Sequence, residues 1–178
     1  MDNIILEGVG INQVIVGKTT ANELKDLFGT SYNIIRHDND NVEIFYPQKG
    51  ISFYYNDGTE KIIDYILVKI PFNGKTTKGI IINQSTVQDV ENLYGEAEWI
   101  TTITGSLSNY WALSYPYEGI EFWVKKEKSW FFKKKDYTHK IIEEIGVEIK
   151  EPPKPPKTPS KLYTYFLKLY GLLFKKMN

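Results

Sequence analysis

Cysteine is absent from this 178-residue chain. Its absence excludes a disulfide framework, a thiolate metal site, a cysteine nucleophile and an N-terminal cysteine that carries lipid. Long hydrophobic runs are also absent, because no apolar stretch approaches the roughly 18 residues of a membrane-spanning helix. The first residues, from Met1 to Glu7, lack the basic start and the apolar run of a signal peptide. We therefore expect a cytoplasmic protein.

The chain carries no net charge, since 22 Lys and Arg side chains balance 22 Asp and Glu side chains. The balance hides an asymmetry between two segments. Residues 1–149 carry 15 basic and 21 acidic side chains, a net charge of −6, whereas residues 150–178 carry 7 lysines and one glutamate, a net charge of +6. The acidic body disfavours nucleic acid as a partner. The basic arm has three possible partners, which are the body itself, an acidic protein and an anionic membrane.

Hydrophobic residues make up 42% of the chain and aromatic residues 15%, which is enough to fill the core of one compact domain or of two small ones that share a core. Three blocks of sequence recur in the same order, which predicts an internal duplication. The recurring pairs are 17–29 with 83–95, 46–53 with 115–122, and 61–66 with 140–145.

The first block of each copy predicts a short helix. Thr20 with Glu23, and Thr86 with Asp89, have the spacing of a capping box, in which the hydroxyl and the acid satisfy backbone N–H groups at the helix start. A glycine follows each apolar face and can end the helix in a left-handed conformation.

The later blocks predict strands, because apolar residues alternate with period two. Each hairpin turn has the pattern Tyr-Pro-x-x-Gly, in which proline begins the turn and glycine accepts a positive φ. The expected core positions are Val42, Ile44, Tyr46, Ile51, Phe53 and Tyr55 in the first copy, and Trp111, Leu113, Tyr115, Ile120, Phe122 and Val124 in the second.

We predict an α+β fold in which two tandem α-β-β-β repeats form about six antiparallel strands, in one curved sheet or two abutting ones, with the helices on one face and a C-terminal amphipathic helix added. The first repeat spans 1–80 and the second 81–150. A proline-rich linker follows at 151–160, and a basic amphipathic helix at 161–178.

The helix signature followed by three strands resembles the SmpA/OmlA family of small envelope-assembly lipoproteins, and its tandem form is similar to the β-lactamase inhibitor protein. The resemblance covers roughly residues 13–149. It implies a protein-binding scaffold, without catalytic residues, that presents a concave sheet to a partner protein. The chain departs from the envelope lipoproteins because it has neither a signal peptide nor a lipid-bearing cysteine.

No motif in the chain predicts catalysis, a cofactor or a metal site. Gly17-Lys18-Thr19-Thr20 looks like the end of a phosphate loop but lacks the earlier glycine, so helix capping explains it better. The polar stretch 37–41 lacks the glycine and the distal glutamate of a calcium loop. Asp64 and Glu143 recur at equivalent positions, and we interpret them as solvated strand ends rather than a pair of catalytic carboxylates. We therefore predict that the protein is not an enzyme.

The second copy has ten extra residues between its second and third strands, as the repeat offset grows from 69 to 79. They belong to a lysine-rich stretch with an aromatic centre. We predict that this stretch contacts a partner protein or a membrane, although its aromatic rings could also stack on nucleic acid. The alternative is a longer hairpin whose lysines prevent aggregation. The predicted contact residues are Trp130, Phe131, Phe132, Lys133, Lys134 and Lys135.

The tail has a wide apolar stripe with lysines beside it. Its predicted contact residues are Lys161, Phe166, Lys168 and Tyr170. A helix of this length cannot span a bilayer, so it lies on the protein's own sheet, in a groove of a partner or on an anionic membrane.

We predict a non-catalytic protein-binding module, of the inhibitor or immunity type, that uses the open face of its sheet. Four aromatic residues have the phase opposite to the core positions and are expected to be exposed for binding: Phe45, Tyr54, Tyr65 and Trp123. The alternative is a peripheral membrane adaptor, anchored by the tail helix and by the aromatic stretch 125–135.

Overall fold

A computed structural model describes residues 3–37, 40–58, 60–101, 110–126 and 137–150. These residues form twelve strands and two short helices. The strands are β1 (Asn3–Leu6), β2 (Gly10–Ile11), β3 (Val14–Ile15), β4 (Asn33–Arg36), β5 (Asn41–Tyr46), β6 (Ile51–Asn56), β7 (Tyr65–Lys69), β8 (Gly74–Thr76), β9 (Glu98–Thr101), β10 (Tyr110–Tyr115), β11 (Ile120–Lys125) and β12 (Glu144–Glu148), and the helices are α1 (Glu23–Phe28) and α2 (Val87–Tyr94).

Eight of the strands form one antiparallel sheet in the order β4-β5-β6-β7-β12-β11-β10-β9. The two predicted hairpins are confirmed, because β5 pairs with β6 and β10 pairs with β11, and each turn begins at a tyrosine followed by proline. In the middle of the sheet β7 pairs with β12, with Tyr65 opposite Glu148 and Lys69 opposite Glu144. This pairing joins strands from the two predicted repeats into one sheet.

The other four strands form a small sheet in the order β3-β2-β1-β8. β1 is paired on both sides, antiparallel with β2 and parallel with β8. The chain reaches β8 through a connection that contains Pro71, Phe72 and Asn73.

The predicted fold class, α+β repeats of one helix and three strands, is wrong. The described part of the chain is mostly β, and its helices have six and eight residues. Sequence periodicity missed β1, β2, β3 and β8 because strands of two to four residues are too short to show an alternating pattern. It missed β4 because all four of its residues are exposed, so no apolar alternation marks it. The predicted linker and C-terminal helix, 151–178, lie outside the described residues.

Both predicted helices form, but their N-termini are capped differently. At α2 the capping box is complete, since the Thr86 hydroxyl accepts from the Asp89 N–H and the Asp89 carboxylate accepts from the Thr86 N–H. At α1 the Glu23 carboxylate accepts from the N–H and the hydroxyl of Thr20, but the helix begins later, with Asn22 at its N-cap position and no side-chain cap.

One hydrophobic core joins the large sheet, the small sheet and both helices. Of the expected core positions, all are buried except Trp111, which is half-buried and packs against the same core. Ile5 of the small sheet, Leu24 of α1 and Val90 of α2 are fully buried among them. The helices and the small sheet therefore cover one face of the large sheet, and the other face is left for different side chains.

A buried carboxylate ties the small sheet to α2. Glu7, which follows β1, accepts hydrogen bonds from the Tyr94 hydroxyl and from the Thr77 hydroxyl, the latter at 2.6 Å. Burial alone would raise the pKa of Glu7, but the hydrogen bonds from Thr77 and Tyr94 outweigh it and hold the pKa below its ordinary value. The Lys78 ammonium lies 4.0 Å from the centre of the Tyr94 ring.

Replacing Tyr94 with phenylalanine tests this tie. Tyr94→Phe leaves one oxygen of a buried, ionised carboxylate without its donor, so we expect the free energy of unfolding at neutral pH to fall by about 1–3 kcal/mol. Urea unfolding followed by tryptophan fluorescence measures the change. Tyr117→Phe is the matched control, because Tyr117 is 43% exposed and its substitution should change stability by less than about 0.5 kcal/mol. Equal losses in the two variants would contradict the role of the hydroxyl.

Candidate functional site

The large sheet has a second face, opposite the core, which we call the acidic face. Successive side chains of a strand point to opposite faces, so the residues between the core positions lie here. The acidic face comprises Glu43, Phe45, Ser52, Tyr54, Tyr65, Leu67, Lys69, Tyr110, Ala112, Ser114, Glu121, Trp123, Glu144, Gly146 and Glu148.

A small aromatic cluster forms the centre of the acidic face, separate from the main core. Its buried members are Leu67, Ala112 and Trp123, with three tyrosines packed against them. The Trp123 indole N–H donates to the Tyr65 hydroxyl at 3.3 Å, and that hydroxyl donates to the Glu121 carboxylate at 3.1 Å. The cluster therefore holds a carboxylate in a fixed position beside aromatic rings.

Gly146 makes room for Tyr65. A Cβ atom at Gly146 would lie 2.0 Å from the Tyr65 hydroxyl oxygen, which is closer than any real contact, so Tyr65 can cross β12 only because this position has no side chain. A glycine in the interior of a strand is a sequence signal of such a close approach.

Three glutamates of the acidic face, Glu43, Glu121 and Glu144, are each only 8% exposed. Glu43 accepts from the Ser52 hydroxyl at 2.6 Å, and one ring nitrogen of His37 lies 3.0 Å from its other oxygen.

The other two buried glutamates have different surroundings. Glu121 accepts from Tyr65 and Ser114. Glu144 differs from the rest, because its Oε2 atom is buried and has no hydrogen-bond partner among the residues that the structure describes.

Burial and like charge raise the pKa values of two of these groups. Burial, aided by the nearby charge of Glu148, raises the pKa of Glu121 to about 7, although hydrogen bonds from Tyr65 and Ser114 oppose the shift. Burial also raises the pKa of Glu144; the Lys69 ammonium opposes the shift, and the charges of Glu143 and Glu43 add to it.

Lys69 does not neutralise Glu144. The two residues lie opposite each other on β7 and β12. However, the Lys69 ammonium lies 4.9 Å from the centre of the Phe45 ring and makes no ion pair with Glu144. Among the described residues no cation forms an ion pair with Glu144, and an ammonium or guanidinium group is the chemical species that could bind this carboxylate.

The four aromatic residues predicted from strand phase all lie on the acidic face. Their predicted exposure is only partly right, since Phe45, Tyr54 and Tyr65 are half-buried and Trp123 is 3% exposed. Trp123 is buried because Tyr65 and its neighbours in the cluster cover it, which strand phase cannot reveal.

Sequence reasoning did not single out the buried glutamates or Tyr110. The available signal was an acidic residue in strand phase opposite to the core, which recurs in three strands, at Glu43, Glu121 and Glu144.

The other predicted contact residues lie outside the described part of the chain, so their roles stay predictions: Trp130, Phe131, Phe132, Lys133, Lys134, Lys135, Lys161, Phe166, Lys168 and Tyr170. Asp64 and Glu143, considered above as a carboxylate pair, precede β7 and β12. The antiparallel register of these two strands places them at opposite ends of the pair.

The described residues include no group of three or more His, Cys, Asp or Glu side chains that could hold a metal ion. Neither of the helices in this part of the chain is long and apolar enough to cross a membrane.

Comparison with known proteins finds a similar fold. The solved structure of a DUF4309-family protein, YjgB from Bacillus subtilis, matches this chain with a TM-score of 0.51 and 11% sequence identity, over 80% of this chain and 88% of that one. At this identity the likeness concerns the fold alone. No family model and no curated protein matches the sequence. The resemblance to the SmpA/OmlA lipoproteins and the β-lactamase inhibitor protein is not tested by these comparisons and stays a prediction.

The raised pKa of Glu121 predicts how stability depends on pH. The folded state keeps a proton on Glu121 between the ordinary value of 4.5 and about 7, so this group lowers stability as pH rises through that window. Glu121→Gln retains an acceptor for Tyr65 and removes the charge. At pH 8 we expect the variant to be more stable than the parent by up to about 3 kcal/mol, and at pH 4 to differ little.

Urea unfolding at both pH values measures this difference, with Asp26→Asn as the control. Asp26 is an exposed carboxylate on α1, on the core side of the large sheet, and its substitution should shift stability by no more than a few tenths of a kcal/mol at either pH. A Glu121→Gln variant that is destabilised equally at pH 4 and pH 8 would show that the carboxylate is not desolvated as described.

Proposed function

We propose that this protein is a non-catalytic binding protein, of the inhibitor or immunity type, which holds a basic segment of a partner protein on its acidic face. The observation that carries the proposal is the buried Glu144 carboxylate, one oxygen of which has no hydrogen-bond partner in the described part of the chain. Natural proteins satisfy nearly all buried polar atoms, so this oxygen supports a role in binding a cation or a donor of the partner.

The surrounding charges support a cationic partner. Glu43, Glu121 and Glu144 are largely removed from water, where an ion pair is stronger than on an open surface if its geometry and hydrogen bonds are good. The body as a whole carries a net charge of −6 over residues 1–149. A net negative field of this kind attracts a basic partner over a distance and speeds its association.

The half-buried tyrosines supply the rest of a binding surface. Tyr54 and Tyr65 pack edge to face, with ring centres 5.7 Å apart, and Tyr110 donates to Glu143 at 3.0 Å. Tyrosines held in this way offer apolar contact, a hydrogen-bonding hydroxyl and a ring face for cations at little cost in entropy. Trp123 serves as support beneath them, since it is buried.

Hydroxyl groups of the protein itself donate to the two other buried glutamates of the acidic face, which supports binding rather than acid-base chemistry. Tyr65 and Ser114 hold Glu121, and Ser52 holds Glu43. A cytoplasmic location, as the sequence predicts, is part of the proposal. The membrane adaptor remains an alternative prediction, which depends on residues outside the described part of the chain.

Affinity capture from a lysate of the source organism tests the proposal. Immobilised full-length chain is compared with the double variant Glu121→Gln and Glu144→Gln. We expect the parent to retain one dominant protein with a basic surface, and the variant to retain at least tenfold less of it. Removing one partner of a buried charge pair costs roughly 2 kcal/mol or more of binding free energy. Raised salt should also release it, since salt screens charges.

Asp26→Asn again serves as the control, because it removes a carboxylate on the other side of the sheet, and it should retain the partner fully. A partner that is held equally by all three proteins would place the binding site elsewhere. Retention of lipid without a dominant protein would favour the membrane adaptor.

The proposal also predicts the pH dependence of binding. Glu121 ionises with a pKa of about 7, and the groups around it are Tyr65 on β7, Ser114 on β10 and Glu148 on β12. A cationic group binds the ionised carboxylate, so affinity for the captured protein should rise by up to about tenfold from pH 6 to pH 8. Isothermal titration calorimetry at both pH values measures this rise, and the Glu121→Gln variant should show much less of it. Affinity that falls with rising pH would contradict a cationic contact at Glu121.

A further inference from the structure

A cleft on the opposite side of the molecule is lined by amides. It has a volume of about 670 Å³ and lies among β1, the β2–β3 turn, α1, the β5–β6 turn and the connection before β8. Sites for small molecules commonly measure about 300–1,000 Å³. We call it the carboxamide cleft after five of its eleven lining residues, which are Asn3, Asn12, Gln13, Gln48 and Asn73.

The chemistry of the lining is unusual for this chain. The whole sequence has 16 Asn and Gln residues among 178, so their share of the lining is several times their share of the chain. None of the eleven residues that line the cleft is acidic, although the body is acidic, and Lys49 is the single charged residue among them. The cleft therefore favours a ligand that is neutral and rich in hydrogen-bonding groups.

Hydrogen bonds between side chains and backbone shape one wall of the cleft. Asn12 occupies the tight β2–β3 turn with a φ of 54°, and its amide donates to the Asn3 side chain at 3.1 Å. The Asn3 amide donates in turn to the Asn73 carbonyl at 2.9 Å. These contacts hold the amides of Asn3 and Asn12 in place before any ligand arrives.

Close backbone contact forms the opposite wall. Gly50 has a φ of 64°, and a Cβ atom there would lie 2.8 Å from the Pro71 nitrogen, so the β5–β6 turn touches the connection before β8. The side chains of Gln13, Gln48 and Asn73 make no hydrogen bond with any residue that the structure describes. Their donors and acceptors are available to a ligand.

Apolar surface completes the site. Leu27 of α1 is 38% exposed, and Phe28 lies beside it with the Lys49 ammonium 5.8 Å from its ring centre. An amide both donates and accepts hydrogen bonds, as a sugar hydroxyl does, and the C–H groups of a sugar ring pack on apolar surface. A peptide that adds as a further strand would instead need a free strand edge, and β1, which lines the cleft, is paired on both sides.

We propose that the carboxamide cleft binds a short neutral oligosaccharide. The amides of Gln48 and Asn73 bind its hydroxyls, and Leu27 contacts an apolar face of one ring. This binding is independent of the acidic face, because no residue of the acidic face lines the cleft, and α1, β1 and the β2–β3 turn, which do line it, pack on the core side of the large sheet.

Titration of the ¹⁵N-labelled full-length protein with three trisaccharides, maltotriose, cellotriose and triacetylchitotriose, tests the proposal by NMR. We expect at least one of them to shift the amide signals of the cleft with a Kd in the millimolar range or below. Gln48→Ala and Asn73→Ala should each weaken that binding by about five- to tenfold, the effect of one lost hydrogen bond.

Gln84→Ala is the matched control, because Gln84 is an exposed glutamine in a turn outside the cleft, and it should bind as the parent does. The substituted residues are exposed, so each variant should remain folded. Amide signals as widely dispersed as those of the parent would show this. The proposal would be overturned if none of the three trisaccharides changed the NMR spectrum at millimolar concentration. Changes in amide signals that map away from the cleft would also overturn it, and so would equal binding by Gln48→Ala and the parent.

Discussion

The pairing of β7 with β12 is the interaction on which the rest of the structure depends. Five residue pairs, from Tyr65 opposite Glu148 to Lys69 opposite Glu144, join strands that lie about eighty residues apart in sequence. Without this pair the large sheet would divide into two four-stranded sheets, each with a newly exposed edge. Closing so long a loop costs entropy, which the buried side chains on both faces of the two strands must offset.

The same strand pair creates both faces of the large sheet. On the core side Ile66, Val68, Ile145 and Val147 are buried under the helices and the small sheet. On the other side the pair places Tyr65 over the backbone of Gly146 and brings its hydroxyl to Glu121 on β11. The acidic face is therefore assembled across strands from both halves of the chain and needs the whole sheet.

Sequence patterns predicted what depends on local chemistry. The two hairpins followed from alternation and from the Tyr-Pro-x-x-Gly turns, and the α2 start followed from Thr86 and Asp89. The small sheet could not be predicted, because its strands have two to four residues and rely on pairing across the chain. Strand phase placed Tyr54 and Trp123 on the correct face, but burial depends on neighbouring strands, which only the order of the sheet supplies.

The acidic face is not explained by the requirements of the fold. A likeness of fold at 11% identity leaves the chemistry of the side chains open, since one fold serves many functions. Apolar side chains at Glu121 and Glu144 would fill the same positions without the cost of desolvating a carboxylate, and replacements of this kind are often neutral or stabilising. By contrast, Glu7 is buried with donors on both oxygens, and it has a structural role between β1 and α2. Within the described part of the chain, both Glu7 oxygens accept hydrogen bonds and one Glu144 oxygen accepts none, so the hydrogen bonds of the fold account for the burial of Glu7 but not for that of Glu144.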